Sequence, residues 1–184
     1  MSQPHEVPEL DTATLARLAR GDVIIHNETA PGSSTPEIVL QAVIDAPVES
    51  VWKLIDQSAK YVEFMPRMKK SEELSRVGDE VRTRITIDMP FPLRNLTSTS
   101  LAKHTVIPGV MHRRQWRMES GDYKVNEGSW VLSPFPDAPT RTLATYRARI
   151  QPNIPLPNAL KNLAQEKALP GMVEALRQRV KTHG

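Results

Sequence analysis

Between residues 69 and 151 the chain alternates in side-chain character with a period of two, in six runs separated by short breaks. The runs fall near 69–76, 79–89, 94–107, 110–119, 127–135 and 142–151. The breaks are made of turn chemistry: Gly78-Asp79, Met89-Pro-Phe-Pro92, Pro108-Gly109, Ser120-Gly-Asp122 and Pro136-Asp-Ala-Pro139. Parallel neighbours need a crossover of a dozen or more residues between them, and no break here has that length. Six strands so closely spaced predict an antiparallel meander.

Only one later segment has helical spacing over a length that could cross such a sheet. After Asn153-Ile-Pro-Leu-Pro157, a helix is predicted from Asn158 to about Lys181. Leu160, Leu163 and Ala164 form one apolar stripe, and Met172, Val173, Leu176 and Val180 form another. Pro170-Gly171 lies between them. A proline inside a helix removes a backbone hydrogen bond and crowds the preceding turn, so a kink or hinge is expected at these two residues.

Ahead of the meander, Asp11 is placed to cap a short helix over 12–20 that ends at Gly21. Two β-branched runs, 22–29 and 37–45, flank Ala30-Pro-Gly-Ser-Ser-Thr-Pro36 and predict a strand pair. Pro47 suits the first turn of a helix carrying Val48, Val51, Trp52 and Ile55, and a second brief helix follows over 58–64.

The 184 residues suit one domain with room for a core, and 39% hydrophobic with 24% charged residues is the balance of a globular chain. The absence of cysteine removes disulfides, thiolate catalysis and Cys-ligated metal. No apolar stretch approaches the ~18 residues of a membrane span. The first ten residues lack the basic and apolar regions of a signal peptide, so a cytoplasmic location is expected. A net charge of +3 with dispersed basic residues and 5% aromatics does not suit nucleic-acid binding. H-E-x-x-H, P-loop, G-x-G-x-x-G and G-x-S-x-G motifs are missing, and His5, His26, His104, His112 and His183 have no metal-ligand spacing. Neither a cofactor, nor a metal, nor a catalytic set is expected.

The order strand, two short helices, six-strand meander and long terminal helix resembles the START-like (SRPBCC) helix-grip topology. Val43-Ile-Asp-Ala-Pro-Val-Glu-Ser-Val-Trp52 and Tyr61-Val-Glu-Phe-Met-Pro66 are similar to the opening of the polyketide-cyclase/dehydrase and coenzyme-Q-binding START families. Gly128-Ser-Trp-Val-Leu132, the 140–150 run and Pro155-Leu-Pro157 are similar to their close. The resemblance covers about residues 37–180. It implies an α+β fold in which a curved antiparallel sheet wraps a C-terminal helix, with residues 37–184 as the ligand-binding domain and 1–36 as an extension. It also implies a hydrophobic small-molecule ligand of the lipid, sterol, quinone or polyketide-like kind.

Strand alternation assigns candidate cavity residues. Ile85, Ile87 and Met89 share a face with Val81 and Thr83, opposite Arg82 and Arg84. His112, Arg114, Trp116 and Met118 oppose the wetter Arg113, Gln115 and Arg117. Trp130 and Leu132 face inward on the next strand, as do Ala144, Tyr146, Ala148 and Ile150 on the last; Leu160, Leu163 and Ala164 face them from the helix. For Trp116 and Trp130 simple core packing is the leading expectation, with ligand contact the alternative. Arg114 either ends exposed or, turned inward, needs an anion from a ligand or from an Asp or Glu of the protein. Phe91 and Leu93, on the Met89–Leu93 turn, are expected at the cavity mouth, where they could touch a membrane during ligand exchange. The leading expectation is a non-enzymatic carrier. The alternative is an aromatase/cyclase-like enzyme using Arg114, Tyr146 and His112, and a third reading is a membrane- or protein-docking module with a collapsed cavity.

Overall fold

A computed structural model describes residues 9–183. Asp11 caps α1 (Thr12–Ala19) by accepting the Thr14 backbone N–H at 2.9 Å. There follow β1 (Ile24–Glu28), β2 (Glu37–Ile44), α2 (Val48–Asp56) and a 3-10 helix (Ser58–Glu63). The meander is β3 (Met68–Val77), β4 (Glu80–Ile87), β5 (Leu96–Ile107), β6 (Met111–Gly121), β7 (Tyr123–Phe135) and β8 (Ala138–Pro152). The chain closes with α3 (Asn158–Leu163), a π-helical turn (Ala164–Ala168) and α4 (Leu169–His183).

The eight strands among the described residues form one antiparallel sheet in the order β1-β2-β8-β7-β6-β5-β4-β3. The helix-grip expectation is therefore met: one curved sheet, two short helical pieces after an early strand, and a terminal helix. Irregular register at Met68/Lys70 and Glu73/Ser75 interrupts the β3 edge, a device that discourages edge-to-edge pairing.

The inner face of the sheet carries the main core. Ile44, Trp130, Leu132 and Ala144 of the sheet pack with Val48, Val51, Leu54 and Ile55 of α2 and with Leu176 and Val180 of α4. Val173 of α4 packs on Leu40 and Ala42 of β2. Each such fully buried aliphatic side chain contributes about 1.5–3 kcal/mol. The outer face has a smaller core in which Leu18 of α1 meets Val43, Phe135 and Leu143. Arg177 of α4 donates to the Val43 and Gly21 carbonyls, tying the terminal helix to the segment before β1. The N-terminal helix and β1 are thus packed into the same body as the meander.

The terminal helix departs from the expected kink in one respect. Its irregularity is the π-helical turn at Ala164–Ala168, directly before Pro170. The proline ring crowds the carbonyl four residues back, at Glu166, so the widened turn falls upstream of the proline itself. A π turn holds extra residues and changes the helix phase. At about 100° per residue the two stripes already lie on opposite sides of an unbroken helix, and the π turn changes the offset between Leu160/Leu163/Ala164 and Val173, Leu176 and Val180 without creating it.

Candidate ligand-binding site

The inner face is covered unevenly along its strands. Near the start of β8, α2 and α4 close it, and Trp130, Leu132 and Ala144 are buried there. Near the end of β8 the cover is thin: Ile150 is 41% exposed and Leu163 of α3 is 39% exposed. Ile87, Met89, Met118 and Leu160 are only partly covered, and Ala164 is exposed. Apolar groups of the sheet and of α3 at this end therefore lack a close-packed partner.

An aromatic layer divides the two regions. The Trp116 and Tyr146 rings stack at 5.7 Å and 27°, and Trp130 leans on Tyr146 at 4.8 Å. Gly128 makes room for the indole: a Cβ there would lie 2.6 Å from Trp116 Cζ2 and 2.1 Å from the Arg147 carbonyl. Trp116 Nε1 donates to Asn126 Oδ1 at 3.1 Å, and Asn126 Nδ2 donates to Ser98 Oγ at 3.2 Å. Ala148, paired with Gly128, is fully buried beside this layer. Burial of Tyr146 pushes its phenol well above the ordinary range.

Arg114 points inward and is only 4% exposed. Its immediate partners are neutral rather than anionic. It donates to His104 Nε2 at 2.7 Å and to Thr83 Oγ1 at 2.9 Å. Accepting at Nε2 puts the His104 proton on Nδ1, which lies 3.1 Å from Asp56 Oδ1. Arg76 also donates to Asp56, at 2.8 Å. The anion expected for Arg114 is thus a protein carboxylate reached through a histidine. The hydrogen bond from His104, with a further one from Arg76, holds the Asp56 carboxyl down at about 2 against the opposing effect of burial.

Asp56 and His104 are the members of this chain that the sequence reading passed over, as is Ser58, whose Oγ lies 3.2 Å from Thr83 Oγ1 beside it. The run containing His104 alternates Leu96, Ser98, Ser100, Ala102 and His104, small and polar groups that do not announce an inner face. The register His104↔Arg114 puts them side by side. His112 is buried as well; its Nδ1 has no hydrogen-bond partner among the described residues, Trp52 meets its ring edge-on at 5.4 Å, and burial lowers its pKa.

The two residues expected at a cavity mouth differ from one another. Phe91 is 97% exposed, while Leu93 is partly covered. Pro170 and Gly171 are partly covered, and a Cβ on Gly171 would be 3.9 Å from Pro66. No helix among the described residues is long and apolar enough to cross a membrane.

Residues 44–177 match the protein family described as polyketide cyclase/dehydrase and lipid transport. No curated protein matches the sequence. Among solved structures, the fold is similar to a STAR-related lipid transfer protein from Xanthomonas axonopodis, with a TM-score of 0.72 at 18% identity over 87% of this chain and 94% of that one. It is similar to human StAR-related lipid transfer protein 5, with a TM-score of 0.74 at 12% identity over 88% and 82% of the two chains. It is also similar to the ZhuI aromatase/cyclase from Streptomyces sp. R1128, with a TM-score of 0.63 at 15% identity over 79% and 93%. At these identities the likeness is one of fold.

Proposed function

The chain belongs to the polyketide cyclase/dehydrase and lipid transport family, and on that premise we propose that it carries a hydrophobic small molecule between the sheet and α3. The supporting observation is the uneven cover: Ile150 and Leu163 are exposed and Met118 is only partly covered, while Trp130, Leu132 and Ala144 on the other half of the same face are buried. An apolar concavity with few polar groups is a ligand site by default. Lipid transfer proteins and an aromatase/cyclase share the fold, so lipids and polyketide-like molecules are both within the chemical class. An enzyme of the cyclase kind would need Arg114 turned toward a poly-β-carbonyl chain. Arg114 instead donates to His104 and Thr83, which favours the carrier.

Organic extraction of natively purified protein followed by mass spectrometry should return a recurrent apolar compound, near one per chain. An empty extract, together with no uptake of a fluorescent fatty acid, would end this reading.

Membrane contact during exchange is part of the proposal. Phe91 stands at a loop tip with Arg94 close by in sequence, and Arg67 donates to the Asp88 carbonyl just before that loop, a combination suited to anionic lipid surfaces. Phe91→Ser should slow transfer of a fluorescent fatty acid between phosphatidylserine-containing vesicles about threefold or more, in line with loss of an exposed aromatic anchor. Thermal stability should not change, because almost none of the ring is buried. Unchanged transfer would remove the loop from the exchange route.

A further inference from the structure

The hairpin joining β6 and β7 is not zipped to its end. Pairing between the two strands stops at Arg117↔Glu127, although only Asp122 separates them in sequence. The end of β6 is drawn toward β5, where Ser98 faces Gly121 and Thr99 faces Ser120. Asp122 fixes the tip there: its N–H donates to the Thr97 carbonyl, and its carboxylate accepts the Thr97 N–H, both at 2.8 Å. Gly121 permits the approach, since a Cβ would fall 2.5 Å from the Thr97 carbonyl oxygen. The start of β7 instead pairs with β8 through Tyr123↔Pro152 and Val125↔Gln151. The two strands are pulled apart from both sides.

A groove of about 530 Å³ lies at this splay. The β1–β2 loop, from Ala30 to Thr35, lines its far side. Arg117, Glu127 and Arg149 line it from the outer face, and Met118 and Asn126, whose strand positions alternate inward, line it from the inner one. The groove therefore meets residues of both faces at the gap between β6 and β7. Its charge is one-sided: among the described residues Glu127 is the only carboxylate in the lining and is shared by Arg117 and Arg149, while Lys124 adds a further cation.

We infer that this groove is the seat of a ligand's anionic head. It would hold a carboxylate beside Arg117, Lys124 and Arg149, while the ligand's apolar chain passes Met118 into the space under α3. The inference rests on the proposed function and narrows it to amphipathic molecules with an acidic end. Cationic side chains around a concave polar site favour an anion there and discriminate against a neutral head of the same size.

The test is displacement of a fluorescent fatty acid by palmitate, by hexadecanol and by inorganic phosphate, with wild-type protein and an Arg117→Gln/Lys124→Gln variant. Both changed residues are surface groups, so the variant folds as wild type does. Palmitate should bind wild type about tenfold better than hexadecanol, and the variant should lose about five- to tenfold toward palmitate and nothing toward hexadecanol, as expected for two partly screened charges. The palmitate preference should shrink in high salt. Equal binding of palmitate and hexadecanol, both unaffected by the variant, would overturn the head-group assignment and leave the carrier standing. Equal losses toward both would also overturn it, because the residues would then serve the apolar site. Displacement by phosphate as strong as by palmitate would reduce the groove to a simple anion site. Failure of every probe to bind wild type would overturn carrier and groove together.

Discussion

Gly128→Ala should destabilise the protein by about 3 kcal/mol, the upper end of what overpacking a filled core costs. For a chain of this size that lowers Tm by about 6–12 °C in a thermal melt. The added carbon meets two obstacles, the Trp116 ring at 2.6 Å and the Arg147 carbonyl at 2.1 Å. The indole is partly exposed and can tilt, at the expense of its stack on Tyr146 and its hydrogen bond to Asn126. The carbonyl belongs to β8, so it moves only if the β7–β8 pairing loosens around Gly128↔Ala148. Adding Trp116→Ala to Gly128→Ala relieves the first obstacle alone and should recover only part of the loss attributable to the glycine change. Full recovery would mean that the ring is the whole reason for the glycine. A melt unchanged by Gly128→Ala would mean that the two strands have slack there, and that the aromatic layer does not fix the depth of the ligand space proposed under α3.

The parts of this architecture that were legible in the sequence are those written locally. Alternation on each strand and the turn residues between strands depend on neighbours in the chain, and they give the meander, the inward faces of β4, β6, β7 and β8, and the helix after Pro157. Contacts between residues far apart in the chain left weaker marks. Gly128 reads as a family-like Gly-Ser-Trp, but its physical reason is an indole from the adjacent strand. The proline at 170 announced an irregular helix, while the distortion appears one turn earlier because the ring acts on the carbonyl four residues back. The splay of β6 from β7 left no periodic signal at all; it comes from Asp122 bonding to Thr97 on a third strand. Alternation left Arg114 open between an exposed strand end and an inward charge in need of an anion; Asp56 on α2 reaches it only through His104, and no spacing rule links those three positions.

That three-residue chain carries the second large expected effect. His104→Phe keeps a flat ring against Trp52, which His104 meets at 5.0 Å, yet removes both nitrogens. Arg114 then retains Thr83 as its only named acceptor, and Asp56 retains Arg76. Stranding a buried guanidinium in this way should cost about 3 kcal/mol, the lower end for breaking one side of a buried ionic group. In urea unfolding the midpoint should fall with an unchanged slope. Arg114→Met in the same protein removes the stranded charge and fills its volume with apolar groups, so the double variant should regain most of the stability. The acid limb gives an independent reading. The Asp56 carboxyl sits at about 2 in the folded chain against an ordinary 3.8, so its pairing stabilises the fold above the ordinary value and is lost as pH falls between the two. His104 is the largest cause of that lowering, so the loss between pH ~4 and ~2 should be smaller in His104→Phe than in wild type. A single variant as stable as wild type, or a double variant no better than the single, would show that Arg114 does not depend on His104. An acid limb identical to that of wild type would show that Asp56 is held by Arg76 alone.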